Sequence, residues 1–459
     1  MHARPGTAPR HRRPAHRPAH RRAPRLVAPV LAALLAAGTL VAAPTTASAA
    51  VPDFFVVEGS GFGHGVGMAQ YGAYEMSRRG YSTTQILAHY YRGTAAQRAT
   101  TRTLIDVQVY GPDPSGSSAY GDAGPTTITV RGGPWRLRAG DRTVASGRAG
   151  TMSVSTSKGS VLVRTPDGVL HRHRQLQLQW AGTPYHRPKA GPATVSVGGA
   201  HGSYRYGRLL LSASQGTPNV VNRLRLNTQY LYGLAEMPAS WGADGGQEAL
   251  RAQAVVARSY AVLRSESWNR TCRCHVVDDV RDQQFSGWKH ASGPSSGYWR
   301  RAVDSTTTAL TRGSVLTYGG RPVTAHYYSS SGGSSSASSF GWRTARSEDV
   351  WSSAVPYERS VRDRYSAVAP GNGHVRWRRN LSQVQAQRLF GLDDAGKEVA
   401  SIRVAARWSS GQVKTLVAKA PDGTTRTLTG KADQIRARVG GRTTAGSVPS
   451  AWLLRISAA

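Results

Sequence analysis

A few residues of this 459-residue chain have types and spacing suited to chemistry. Glu236, within LAEMPASWG, is a carboxylate of the kind that gives and takes protons in general acid–base catalysis. An ordinary glycosidase needs two carboxylates flanking the scissile bond, and the chain offers one good candidate. From pattern alone Glu236 also reads as a solvated or salt-bridged surface glutamate. Cys272 and Cys274, the only cysteines, stand with His275 in a Cys-Arg-Cys-His run. An even pair in an oxidising compartment points first to a disulfide, although a one-residue spacer closes a strained ring. The same run could instead offer zinc three ligands, with no fourth evident from spacing. His64 and Gln70 border the alternating glycines Gly59, Gly61, Gly63, Gly65 and Gly67. Such glycines let backbone approach closely and could aim both side chains into a groove; a packed structural histidine is the alternative. The run lacks the lysine of a P-loop and the spacing of a dinucleotide fingerprint.

Two helices must hold Glu236. The first can start at Asn227, carries Tyr230, Leu231 and Leu234 at helical spacing, and must stop near Pro238, which puts Glu236 in its last turn. There a carboxylate meets the unfavourable end of the helix dipole. The second is predicted to begin at Asp244, with Gln247 completing a capping box, and to continue through Ala249, Leu250, Ala254, Ala257 and Ala261 as a narrow small-residue face.

Upstream, helices are predicted at 70–78 and 83–91, the latter capped by Ser82 or Thr83. Residues 95–225 alternate in short runs such as LIDVQVYG, TTITVRG and QLQLQW, between Gly, Pro, Asp and Ser, and read as strands of a mainly antiparallel sheet or small barrel. Further strands are expected at 315–317 and 323–328, a helical run at 298–309, and an amphipathic helix at 381–392 opened by Ser382. The stretch from Ser329 to Ser339 has the composition of a linker, but an apolar-aromatic run feeds into it. Residues 341–370 read as irregular. The fold class is α+β: a mainly antiparallel β framework, a two-helix core and a small β-rich C-terminal subdomain. The expected division is 1–49, 50–94, 95–225, 226–392 and 393–459.

The formal net charge is +34, and the first 25 residues hold eight arginines and no acid, so the rest of the chain remains strongly basic. A basic start, the apolar run LVAPVLAALLAAGTLVAA and Ala47-Ser48-Ala49 read as a secretory signal peptide cleaved before Ala50. No later stretch is apolar and long enough to span a membrane. Outside the cytoplasm such charge points to anionic polymers, of which a Gram-positive type of wall is the obvious example. Nucleic acid is set aside as a partner, because the arginines are scattered and neither zinc-finger spacing nor a recognition helix is present.

The segment AEMPASWGADGGQEALRAQAVVARSYAV resembles the signature of the stage II sporulation protein D family, whose members are peptidoglycan lytic transglycosylases or amidase enhancers. Three further pieces are similar to that family: DDVRDQQFSGW, with Phe285 where tyrosine is usual; AHYYSSSGG; and GFGHGVGMAQYGAYEMSRRGYSTTQILAHYYRGT. The resemblance implies that Glu236 is the catalytic acid, acting first as acid and then as base, and that burial under aromatic side chains raises its pKa. It implies binding or orienting roles for Arg251 and Arg258, hydrogen bonds to sugar from Gln283 and Tyr327, and substrate contacts from Ser329, Ser331, His64 and Gln70. Some members bind zinc through cysteine and histidine, though with another cysteine spacing. The implied partners are peptidoglycan glycan strands and a cell-wall amidase. The competing expectations are a catalytically silent glycan-binding amidase enhancer and a wall protein held by charge alone. In the family's common order the Gly-His-Gly piece closes the chain, whereas here it follows the leader, as in a circular permutation. Phe54–Val57 is therefore expected beside Trp452–Ile456 in one sheet.

Overall fold

The computed structural model describes residues 51–116, 121, 124–334, 341–351 and 353–459. The expected signal peptide and part of the serine-rich loop lie outside them.

The chain is α+β with mostly antiparallel sheets, as its patterning predicts. Between residues 104 and 225 two antiparallel sheets form. One has seven strands, with Leu104–Tyr110 beside Thr217–Arg225 and Val276–Val277 added in parallel at its edge. The other has six strands and is antiparallel throughout. Alternation along Thr126–Arg131, where Thr126, Ile128 and Val130 are buried and Thr127 and Arg131 exposed, turns one side of that strand inward. Both sheets contribute to one apolar core, which continues into the helices.

Helix α1 (Gln70–Arg78) and helix α2 (Thr83–Tyr90) form where periodicity places them. Ser82 caps α2 with a capping box closed by Gln85, and Ser382 caps Gln383–Phe390 in the same way with Gln385. The helical run near 298 spans Ser296–Ser305. Strand structure at 323–328 is confined to Tyr327–Tyr328, whereas Arg312–Tyr318 is longer than expected. Residues 341–370 contain two short helices, Ser347–Val350 and Arg364–Val368.

The two organising helices differ from expectation. The first is a single wide turn, Leu226–Tyr230, that ends by Gly233. Asn227 does not cap it; its Oδ1 accepts from Arg258 instead. The second, helix α3 (Gln247–Arg264), starts three residues after Asp244, with Gly246 at its N-cap and no side-chain cap. Gly245 adopts φ +72° and turns the chain there, a conformation glycine takes without steric cost. Asp244 is drawn away to the Tyr74 hydroxyl and Arg78. Ala249, Leu250, Ala254, Ala257 and Ala261 are all buried, as a close-packed small-residue face requires.

Strand β1 (Phe54–Gly59) lies between Trp377–Ser382 and Leu453–Ala458, antiparallel to both. Phe55 pairs with Ala458 and Val57 with Ile456, and Glu58 bridges Arg378 and Arg455 across its two neighbours. The beginning and end of the described chain thus meet in one sheet, as expected. A second apolar cluster under this sheet joins Phe55 and Val57 to the 401–429 strands and the Ala432–Gly440 helix.

Candidate active site

Leu234 bridges Phe285, and the Ala235 N–H donates to the Gln284 carbonyl at 2.8 Å, so Glu236 follows a short strand-like contact rather than a helix end. The helix dipole therefore does not act on it. Its carboxylate accepts from the Gln284 N–H at 2.7 Å and from the Tyr327 hydroxyl. Behind Tyr327 the hydrogen bonds run one way: the Tyr230 hydroxyl donates to Gln283 Oε1 at 2.9 Å, and Gln283 Nε2 donates to Tyr327 Oη at 2.9 Å. Gln283 is 0% exposed, so it positions Tyr327 and does not itself reach a sugar.

Burial pushes the Glu236 carboxyl up from 4.5 to about 6, against the opposing effect of the Gln284 and Tyr327 hydrogen bonds. Among the described residues no lysine or arginine forms an ion pair with it. Asp282 lies two residues before Gln284, but it is nearly buried and engaged by Tyr260 at 2.7 Å, Arg264 at 3.0 Å and the Val277 N–H at 2.8 Å. Glu236 and Asp282 thus differ in their partners, Asp282 being held by a tyrosine, an arginine and a backbone N–H.

The glycine-rich segment packs directly behind this group. Strand β2 (Met68–Ala69) pairs in parallel with Tyr327–Tyr328. Gly67 makes this possible: φ is +77°, and a Cβ there would sit 1.9 Å from the His326 carbonyl oxygen. Gln70, at the start of α1, donates to the Glu236 carbonyl at 3.1 Å and to Gln253 Oε1 at 3.4 Å, anchoring the backbone of Glu236. His64 accepts from the Val66 N–H at Nδ1, 3.1 Å, so its Nε2 carries the proton donated to the Tyr327 carbonyl, also 3.1 Å. Burial holds its pKa down to about 3 and keeps it neutral. His64 is therefore a packed histidine that fixes Tyr327.

Other expected site residues lie at varied distances from this network. Arg258 is 0% exposed and donates to Asn227, Thr306, Thr307 and the Ser314 carbonyl, so it ties core elements together and does not project to a ligand. Arg251 pairs with Glu248 one turn earlier on α3, and Glu248 also accepts from Thr83. Ser331 is buried, with Oγ 2.6 Å from Asp363 and 2.6 Å from the Tyr328 hydroxyl, while the Ser329 carbonyl accepts from Tyr71 at 2.9 Å. Both serines shape the segment that carries Tyr327. Phe285 stacks on Tyr230 with ring centroids 5.3 Å apart. Cys272 and Cys274 form a disulfide, which removes both thiolates that zinc would require. His275 Nδ1 accepts from the Asp106 N–H at 3.0 Å.

Tyr230, Gln253 and the Gln284 N–H complete the network without any motif announcing them. Gln253 had one signal: a polar residue on the apolar stripe of α3, between Leu250 and Ala257. A buried tyrosine such as Tyr230 needs a partner for its hydroxyl, but nothing local identifies Gln283, 53 positions away, as that partner.

Residues 214–318 match the family model described as Stage II sporulation protein, SpoIID. Glu236, Arg251, Arg258 and Gln283 fall inside that stretch; His64, Gln70, Tyr327, Ser329 and Ser331 fall outside it. The chain is 28% identical over 198 residues to stage II sporulation protein D of Bacillus amyloliquefaciens, covering 41% of this chain and 52% of that protein. It is 35% identical over 122 residues to an amidase enhancer of Bacillus subtilis (strain 168), covering 27% and 13%. It is 29% identical over 152 residues to stage II sporulation protein D of the same strain, covering 31% and 40%. The chain thus spans about half the length of the first relative and less of the other two. No solved structure matches.

Proposed function

We propose that this member of the stage II sporulation protein D family is a secreted lytic transglycosylase that cleaves the MurNAc–GlcNAc bond of peptidoglycan glycan strands. The observation that carries the reading is Glu236, a carboxyl raised to about 6 with the Tyr327 hydroxyl and the Gln284 N–H aimed at it. Protonated, Glu236 donates to the glycosidic oxygen as the bond from muramyl C1 breaks. The carboxylate left behind then takes the proton of the muramyl 6-hydroxyl, whose oxygen closes on C1. The products are a GlcNAc hydroxyl end and a 1,6-anhydro-muramyl end; no water is consumed and the proton is back on Glu236. One carboxyl serves both steps, which fits Asp282 being occupied elsewhere.

The strong positive charge would hold the protein to anionic wall polymers. The relative named an amidase enhancer favours a second reading, a glycan-binding protein that stimulates a cell-wall amidase. Mass spectrometry of soluble products from purified glycan strands, with and without stem peptides, separates the two. The transglycosylase reading expects anhydro-muramyl ends from the native protein and none from Glu236→Gln. It also expects the rate to fall as pH rises above about 6, by about tenfold per unit where leaving-group protonation limits. Absence of products from strands shown to be bound leaves the enhancer reading.

A further inference from the structure

A cavity of about 730 Å³, distinct from the Glu236 network, is lined by His89, Trp342, Arg343, Arg362, Arg364 and Tyr365 among others. It forms where 342–344 runs antiparallel to 361–363: the Asp363 N–H donates to the Trp342 carbonyl at 2.9 Å, and the Thr344 N–H to the Val361 carbonyl at 3.0 Å. That pairing brings Arg343 and Arg362 opposite each other, with Arg364 two residues on. None of the three arginines forms an ion pair among the described residues. The nearest carboxylate, Asp363, is 0% exposed and fully used by Tyr90, Ser331 and Ser366, at 3.1, 2.6 and 2.6 Å. Even after its charge is counted, the cavity keeps an excess of about two positive charges.

Trp342 adds a second specification. His89 packs in the cavity wall, one ring nitrogen bonded to the Arg362 backbone and Nε2 closed off from the cavity, and Tyr365 is buried with Arg79 and Arg364 over its ring. The cavity therefore asks for an anion carried on a ring, with Trp342 supplying a face on which a sugar ring can lie. An inorganic anion meets only the first requirement and a neutral sugar only the second.

We propose that this cavity is a subsite for a sugar acid, a carboxylate carried on a hydroxyl-bearing ring. Guanidinium forks match carboxylates in two-point geometry. If the peptidoglycan reading holds, on which this proposal rests, such a group comes from the free lactyl arm of muramic acid in a strand without stem peptides or from a uronic acid of an accessory wall polymer. The subsite is joined rigidly to the catalytic network: Asp363 bonds Ser331, which lies on the segment that carries Tyr327. A carboxylate held here would set the register of the strand at Glu236 or hold the protein on the accessory polymer.

Calorimetric titration of the mature protein with N-acetylmuramic acid, glucuronic acid, N-acetylglucosamine and inorganic phosphate tests this. At least one acid should bind, and N-acetylglucosamine and phosphate about tenfold or more weakly by comparison. The better acid names the source. Arg343→Gln with Arg364→Gln should lose the acid by a similar factor while keeping the native melting profile; Trp342→Ala checks the ring face independently. Glu236→Gln should bind the acid as the native protein does, so loss of cleavage and loss of this subsite are separable. Equal binding of N-acetylglucosamine, tighter binding of phosphate, or unchanged binding by the folded arginine variant would overturn the proposal.

Discussion

On the proposed reading Glu236 carries a conflict between stability and chemistry. Its folded-state pKa lies above its ordinary value, so the stability it contributes is full below about pH 4.5 and is lost as pH rises through about 6. At pH 8 the buried charge costs about 2 kcal/mol. Glu236→Gln should accordingly stabilise the protein by roughly that amount at pH 8 and by little at pH 4; urea melts at the two pH values check this, and an equal effect at both would remove burial as the cause. Tyr327→Phe acts in the opposite sense on the proton. It deletes a donor that lowers the Glu236 pKa, so the alkaline limb of the cleavage profile should move upward while the maximal rate falls. It also takes the acceptor from one of the two Gln283 Nε2 hydrogens in the interior, the other keeping the Ala257 carbonyl at 3.4 Å, and costs about 1–3 kcal/mol. A limb that stays in place would show that the hydroxyl does not reach the carboxylate during catalysis.

The deciding element is the parallel pair of β2 with Tyr327–Tyr328. Two residues on each side make it, and it holds because Gly67 admits the His326 carbonyl where any other residue would place a Cβ. Gly67→Ala should destabilise by more than about 2 kcal/mol and depress cleavage further by moving Tyr327. Gly80 supplies the control. It shares a positive φ, +84°, but faces open space, so Gly80→Ala should cost about 1 kcal/mol and leave cleavage intact. Comparable losses from both would mean that backbone conformation, not close approach, governs the pairing.

At the scale of the molecule, the sheet that places β1 between Trp377–Ser382 and Leu453–Ala458 makes chain order and spatial order independent. The Ala459 N–H donates to the Phe54 carbonyl at 3.1 Å, so a short linker can join residue 459 to residue 51. A chain reopened after Thr94, just past the turn at Arg92–Gly93, running 95–459 and then 51–94, should fold cooperatively and keep its activity. A cooperative thermal melt and the anhydro-product assay test this; an insoluble or non-cooperative permutant would show that β1 must be made first.

By itself the sequence determined the α+β class, the antiparallel framework, helices α1 and α2 with a cap at Ser82 or Thr83, and the pieces that meet around Glu236. Each follows from local periodicity, capping chemistry or a contiguous motif. The meeting of Phe54–Gly59 with Leu453–Ala458 was also legible, because motif order required it. Only the tertiary structure decided which motif residues are buried and what each of them bonds. Arg258 and Gln283 look like ligand-binding groups until burial shows their hydrogen bonds spent inside the protein. The start of α3 depended on two glycines and on Tyr74 and Arg78, about 170 positions from Asp244, competing for the expected cap. The raised carboxyl pKa comes from desolvation, which is set by chain segments from 70, 284 and 327 closing around residue 236, and no pattern along the chain encodes that enclosure.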